Sequence, residues 1–97
     1  MLGVLRSATN ARTALPPGTA IEIIIQGPGV TMLSNSSPVT EALKQAQGLN
    51  IGILACGNSM RSAGLQAEDL TGGVDTVPAA IAHLTERQWG GWAYVRL

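Results

Sequence analysis

Apolar positions along the chain follow two alternating periods. Val4, Ala8, Ala11 and Leu15 recur at i, i+4, i+7 and i+11, with Arg6, Asn10 and Thr13 off the stripe, which predicts a helix over 2–15. Pro16-Pro17-Gly18 stops it, because proline cannot continue the hydrogen-bond ladder and biases the residue before it away from helix. Residues 20–26 are then almost continuously apolar and rich in isoleucine, and Gly27-Pro28-Gly29 bounds them. Such a run suits a strand of a parallel sheet covered on both faces. A loop over 27–37, with a helical turn around Val30 to Leu33, leads to Ser37-Pro38 as the N-cap and first position of a second helix. Its inner face is Val39, Ala42, Leu43 and Ala46, and Gly48 stops it.

The second half repeats the alternation. Residues 51–55 predict a strand, followed by Cys56 and a turn into a short helix. A helical turn over 66–70 and Gly72-Gly73 precede a brief strand over 74–77. Pro78 opens a helix carrying Ala80, Ile81 and Leu84, which Gly90-Gly91 ends. Residues 92–97 alternate and are aromatic, which predicts a final edge strand. Strands separated by helices of crossover length define one α/β domain over 1–97, with a mostly parallel sheet.

Composition narrows the picture. The chain is 45% hydrophobic and 12% charged with no Phe, so its core is aliphatic and its surface largely neutral. Charge is about half the usual share. That points to contacts between subunits, or to a chain shortened at the expense of its polar parts. Six basic residues are scattered against six acidic ones, with no basic run, which argues against a nucleic-acid partner. One cysteine rules out an internal disulfide, and with one histidine it supplies no zinc set. No cofactor motif is present. The opening apolar stretch is too short for a signal peptide and no segment is long enough to span a bilayer, so a cytoplasmic protein without a membrane partner is expected.

Cys56 carries the candidate chemistry. It stands where a strand ends and a helix begins, the place where α/β folds collect ligands and reactive groups. Unpaired N–H groups and the helix dipole there favour thiolate, the form that attacks or carries sulfur. An accessible thiol more acidic than a free one is therefore expected. The competing reading is packing, since free cysteine is among the most buried residue types. Asn58 and Ser59 are helix caps or stabilisers of the thiolate, and Arg61 would depress the thiol pKa if it reached the sulfur. Gly27-Pro28-Gly29 lacks the spacing and the lysine of a phosphate loop and reads as a structural turn. His83 has no neighbouring carboxylate or serine motif and reads as a surface or interface residue. Trp89, Trp92 and Tyr94 read as packing for the C-terminal strand or a subunit contact.

Taken in order, residues 21–29, the segment from Ile51 through Ala55-Cys56-Gly57-Asn58-Ser59 to Arg61, residues 74–78 and Gly91-Trp92-Ala93-Tyr94 resemble the DsrE/DsrF-like family over almost the whole chain. The resemblance implies a flavodoxin-like α/β fold of five strands with helices on both faces. It also implies trimers or hexamers, and a cysteine that carries persulfide in a sulfur relay with other proteins, at the position Cys56 matches. Many relatives with the Ala-Cys-Gly-Asn pattern have no established activity. The expected function is thus a sulfur carrier or thiol redox protein acting through Cys56 without cofactor or metal. The alternative is a non-catalytic oligomeric binding or scaffold module with Cys56 as packing.

One departure stands out. The family begins with a strand, in the middle of a flavodoxin-like sheet, whereas this sequence opens in the first helix. Three arrangements follow: a shortened chain, neighbouring strands that close on each other, or a strand supplied by a partner. A sheet lacking a central strand would be less stable than that of a full-length relative.

Overall fold

The β-branched segments form strands β1 (Ile21–Ile25), β2 (Ile51–Cys56) and β3 (Asp75–Val77) in the computed structural model, which describes residues 1–97. All three are parallel, in the order β1-β2-β3. Ile21 lies opposite Ile51 and Ile25 opposite Ala55, while Cys56 at the end of β2 lies opposite Val77 at the end of β3. Four α-helices accompany them: α1 (Leu2–Ala14), α2 (Thr40–Gly48), α3 (Gly57–Ala63) and α4 (Ala80–Trp89). Short 3-10 segments occupy Gly27–Leu33 and Ala67–Asp69.

Side chains alternate across a strand, so Ile23, Ile25, Ile51, Ile53 and Ala55 share one face of the sheet, and all are buried. Leu5 and Ala8 of α1, Leu43 and Ala46 of α2, and Val30 and Leu33 join them in one cluster. Burying each such large side chain contributes roughly 1.5–3 kcal/mol. On the opposite face, Glu22 of β1 meets His83 and Arg87 of α4. Helices therefore lie on both faces of a parallel sheet, the flavodoxin-like α/β arrangement.

Several boundaries follow local chemistry. Helix α2 begins at Thr40, two residues later than expected, because the Ser37 hydroxyl and carbonyl accept the Val39 and Thr40 N–H groups and make a turn of Ser37-Pro38. The turn expected at 30–33 is a longer 3-10 segment that starts at Gly27. Gly64 closes α3 in the left-handed conformation, φ 72°. Arg12 of α1 stitches two connections together. Its guanidinium donates to the Thr19 carbonyl at 2.6 Å and to the Leu49 and Asn50 carbonyls at 3.0 Å each.

Two expectations about strands are corrected. Residues 92–97 form no strand; the sheet has three members, not five. A ladder forms only against a partner, and the backbone of residues 93–97 has none. The gap is also not in the middle of the sheet. Strands β1 and β2 pair directly over five residues, so no position between them is open and β1 is an edge strand.

Candidate functional site

Three strand ends converge around Cys56. Strand β2 delivers it as the last residue before α3, so its sulfur faces the first turn of that helix. The loop after β3 returns Ala80, the first residue of α4, to the same place, and the Ala80 N–H donates to Sγ at 3.4 Å. From β1, the Gly27 N–H donates to the Ser59 hydroxyl at 2.8 Å, which fixes Ser59 beneath the thiol. Gly57 makes this convergence feasible. A β-carbon there would stand 3.0 Å from the Val77 carbonyl oxygen and 3.3 Å from that of Pro78. Glycine is needed because the loop leading to α4 passes directly over it.

The electrostatics follow from these contacts. Burial pushes the Cys56 thiol up. The Ala80 N–H, the Ser59 N–H and hydroxyl, and the Asn58 N–H more than offset that, so the thiol lies below its ordinary value of 9.0. Ser59 thus acts on the sulfur through its N–H and its hydroxyl, and Asn58 through its N–H, all at the start of α3. Arg61 turns elsewhere: it donates to the Asn58 side-chain oxygen on the outside of the helix. The accessibility expected of the thiol is also corrected. Cys56 is 4% exposed, because Val77 and Ala80 close over it. It lies outside the aliphatic cluster between the sheet and helices α1 and α2.

A second polar cluster escaped the sequence reading. Glu22 accepts from His83 Nε2 at 2.9 Å, from Arg87 Nε at 3.0 Å and from Arg87 Nη2 at 2.8 Å. Arg87 also lies over the Trp92 ring, 4.6 Å from its centroid. Burial raises the Glu22 carboxyl, and its hydrogen bonds and charge attraction to Arg87 and His83 lower it further, leaving it below 4.5. The same carboxylate raises Arg87. His83 therefore does have a carboxylate partner, 61 residues away in sequence. A signal was present. Glu22 is the lone charge in an otherwise aliphatic strand, and a half-buried charge requires a partner. Glu22 lies opposite Gly52, four residues before Cys56 along β2, so this cluster sits near the other end of the sheet from the thiol. It clamps α4 onto β1 rather than serving the sulfur.

The arrangement defines a small parallel α/β protein with one thiol set among hydrogen-bond donors at the carboxyl ends of its strands. No three His, Cys, Asp or Glu side chains come together as a cation site, and no helix is long and apolar enough to cross a membrane. The same fold is found in a solved structure, that of the protein of unknown function MTH1491 from Methanobacterium thermoautotrophicum. The two superpose with a TM-score of 0.93 and 30% sequence identity, over 99% of this chain and 86% of that one. The chain belongs to the same family as that protein. No family model matches the chain, and no curated protein is detectably similar to it.

Proposed function

We propose that this chain is a DsrE-like cytoplasmic thiol protein in which Cys56 takes up and passes on sulfur as a persulfide, or responds to oxidant. The observation that carries the reading is the set of donors directed at one sulfur, from the starts of two different helices. A thiolate held this way attacks the outer sulfur of a persulfide donor, forms Cys56–S–SH and releases the donor's thiolate. A second thiol, on an acceptor protein, then removes that sulfur. No resident cofactor is required, and a reducing compartment suits a single free thiol. The low charge and the exposure of Ile81 (72%) and Trp89 (81%) on the outer side of α4 support contact between copies, in the trimer or hexamer that the resemblance implies.

Intact mass after treatment with a persulfide donor tests this function. One added sulfur on the wild-type chain, absent from Cys56→Ala, is the expected result. A wild-type mass unchanged under denaturant-free conditions would overturn it. One observation favours the second reading, a scaffold in which Cys56 packs: the thiol is almost wholly covered. Alkylation against pH separates the two. A reactive thiol gives a half-maximum below about 8.5, the ordinary free-thiol value, whereas a packing thiol labels only when the protein unfolds.

A further inference from the structure

Cys56 is buried on the thin side of the molecule. Side chains alternate along β2, so Gly52, Leu54 and Cys56 face away from the aliphatic cluster that Ile51, Ile53 and Ala55 join. Glu22 and Ile24 of β1 and Val77 of β3 share that second face through the strand register. Its cover is slight. Gly52 is exposed, and Glu22, Ile24 and Leu54 are half-buried. Cys56, Val77 and Ala80 are the three buried apolar residues outside the aliphatic cluster. The sulfur is shielded by one small contact, not by the core.

Helix α4 makes that contact and little else. Ala80 is its one buried residue, whereas Ile81 and Trp89 are largely exposed. The connection before it is loosely tied. Pro78 lacks an N–H, its carbonyl accepts no hydrogen bond, and the Ala79 N–H donates none. The Ala80 N–H goes to sulfur, a weak acceptor. Beyond the helix, the N–H groups of Gly90, Gly91 and Trp92 donate back to its last carbonyls, and Trp92 lies against Arg87. Helix α4 and residues 90–92 thus form one body, joined to β3 by a hinge of two residues.

Glu22 holds this body to the sheet. Its carboxylate accepts from His83 and twice from Arg87, about one and two turns along α4 from Ala80. Hydrogen bonds to an ionised group are the stronger kind. Apart from the Ala80 N–H on Sγ, no other hydrogen bond joins α4 to a strand through a side chain. The latch does not touch the sulfur; it acts through the helix.

We propose that α4 is a hinged lid on Cys56, latched by Glu22 to His83 and Arg87, and that reagents and partner thiols reach the sulfur only when this helix lifts from the sheet. The inference rests on the thiol reading above and says when that thiol can react. Lifting α4 exposes Ala80 and breaks three hydrogen bonds to Glu22, while the cluster with α1 and α2 stays closed. Such an opening costs less than unfolding. The Asn58 and Ser59 donors belong to α3 and remain with the sulfur when the Ala80 N–H leaves. Glu22 is a positioning residue for the site.

Iodoacetamide labelling of the folded chain, read by intact mass at urea concentrations below the unfolding transition, tests the lid. The expected wild-type rate is far below that of the unfolded chain and almost flat in urea, because a local opening exposes little surface. Glu22→Gln and Arg87→Gln each raise it by roughly three- to tenfold, and the two together by no more than either alone. The Ala80 amide exchanges faster by the same factor. Ile53→Val lowers global stability from the other face of the sheet, speeds exchange in β2 and leaves both flat rates unchanged. A wild-type rate that climbs steeply with urea throughout would overturn the lid, since the thiol would then appear only on unfolding. Equal rates in the wild type and both latch variants would also overturn it, as would an Ile53→Val rate raised as theirs are. Sulfur uptake is read separately by mass. A latch variant that alkylates faster yet takes up no persulfide sulfur overturns the sulfur function and leaves the lid standing.

Discussion

The carboxyl ends of the strands and the outer edge of β1 meet the same requirement in opposite ways. Around Cys56, Gly27 is tied to Ser59, Ala80 is tied to the sulfur, and the chain passes close enough over Gly57 to leave no room for a methyl group. Along β1, a strand's width away, backbone groups face a groove and bond to nothing. The first region is closed by its own chain; the second is closed on one side only. Local sequence suffices for the first because strand end, turn and helix start are contiguous. In the second, β1 is paired on its β2 side alone.

Removing the support common to both regions has the largest effect. Ile53 is buried at the centre of β2. Ile53→Ala is expected to cost about 2–5 kcal/mol, read from the urea midpoint. If the thiol end and the edge unfold in a single transition, the two regions are one cooperative unit. Separate transitions would show that the closed end survives alone.

Gly57→Ala acts on the closed end only. The new methyl must push the Val77 and Pro78 carbonyls back by a few tenths of an ångström, a cost of roughly 1–3 kcal/mol. The shift draws the Ala80 N–H from the sulfur, so the thiol titrates closer to 9.0. Amide exchange along β1 should stay as in the wild type. A thiol titration unmoved by this change would mean that Ala80 is not what holds the sulfur down.

Linkage distinguishes the two clusters by pH. Because the folded Glu22 value lies below 4.5, its contribution is complete above that pH and is lost as pH falls through the folded value. Glu22→Gln should remove this part of the acid sensitivity, by no more than about 5 °C in Tm because Arg87 is well solvated. Cys56, also lowered, adds stability as pH rises from its folded value toward 9.0. Cys56→Ser should flatten that alkaline rise and leave the acid limb unchanged.

Arg61→Ala should have the smallest effect. Its bond to Asn58 lies on the exposed side of α3, and surface changes of this kind stay within about 0.5 kcal/mol. The alkylation half-maximum should not move. A shift upward would restore Arg61 to the thiol site.

Most elements were legible because their signals are local. The isoleucines of 20–26, the Pro16-Pro17-Gly18 stop and the glycines at 48 and 90–91 each act on adjacent backbone. Cys56, Asn58 and Ser59 were legible for the same reason, since a strand-to-helix turn brings them together in four residues. Two other features depend on partners far away in the chain. Glu22 meets His83 and Arg87 only because α4 crosses over β1. Residues 92–97 have the pattern of a strand but fail to become one for lack of a neighbour. The burial of Cys56 was hidden likewise, because Val77 and Ala80, which cover it, arrive from 21 and 24 residues on.

Arg12 gives the sheet its zero mark. Its three hydrogen bonds end on Thr19, two residues before β1, and on Leu49 and Asn50, immediately before β2. A parallel pair has no hairpin turn to set its alignment, and a slip of one residue would move every isoleucine to the wrong face. One guanidinium, outside the sheet, holds the two strands at a common starting line, from which Ile21 meets Ile51 and every later pair is counted. Lysine, with a single ammonium in place of a planar fork, has no geometry that reaches both connections. The alignment of the sheet is measured from a helix.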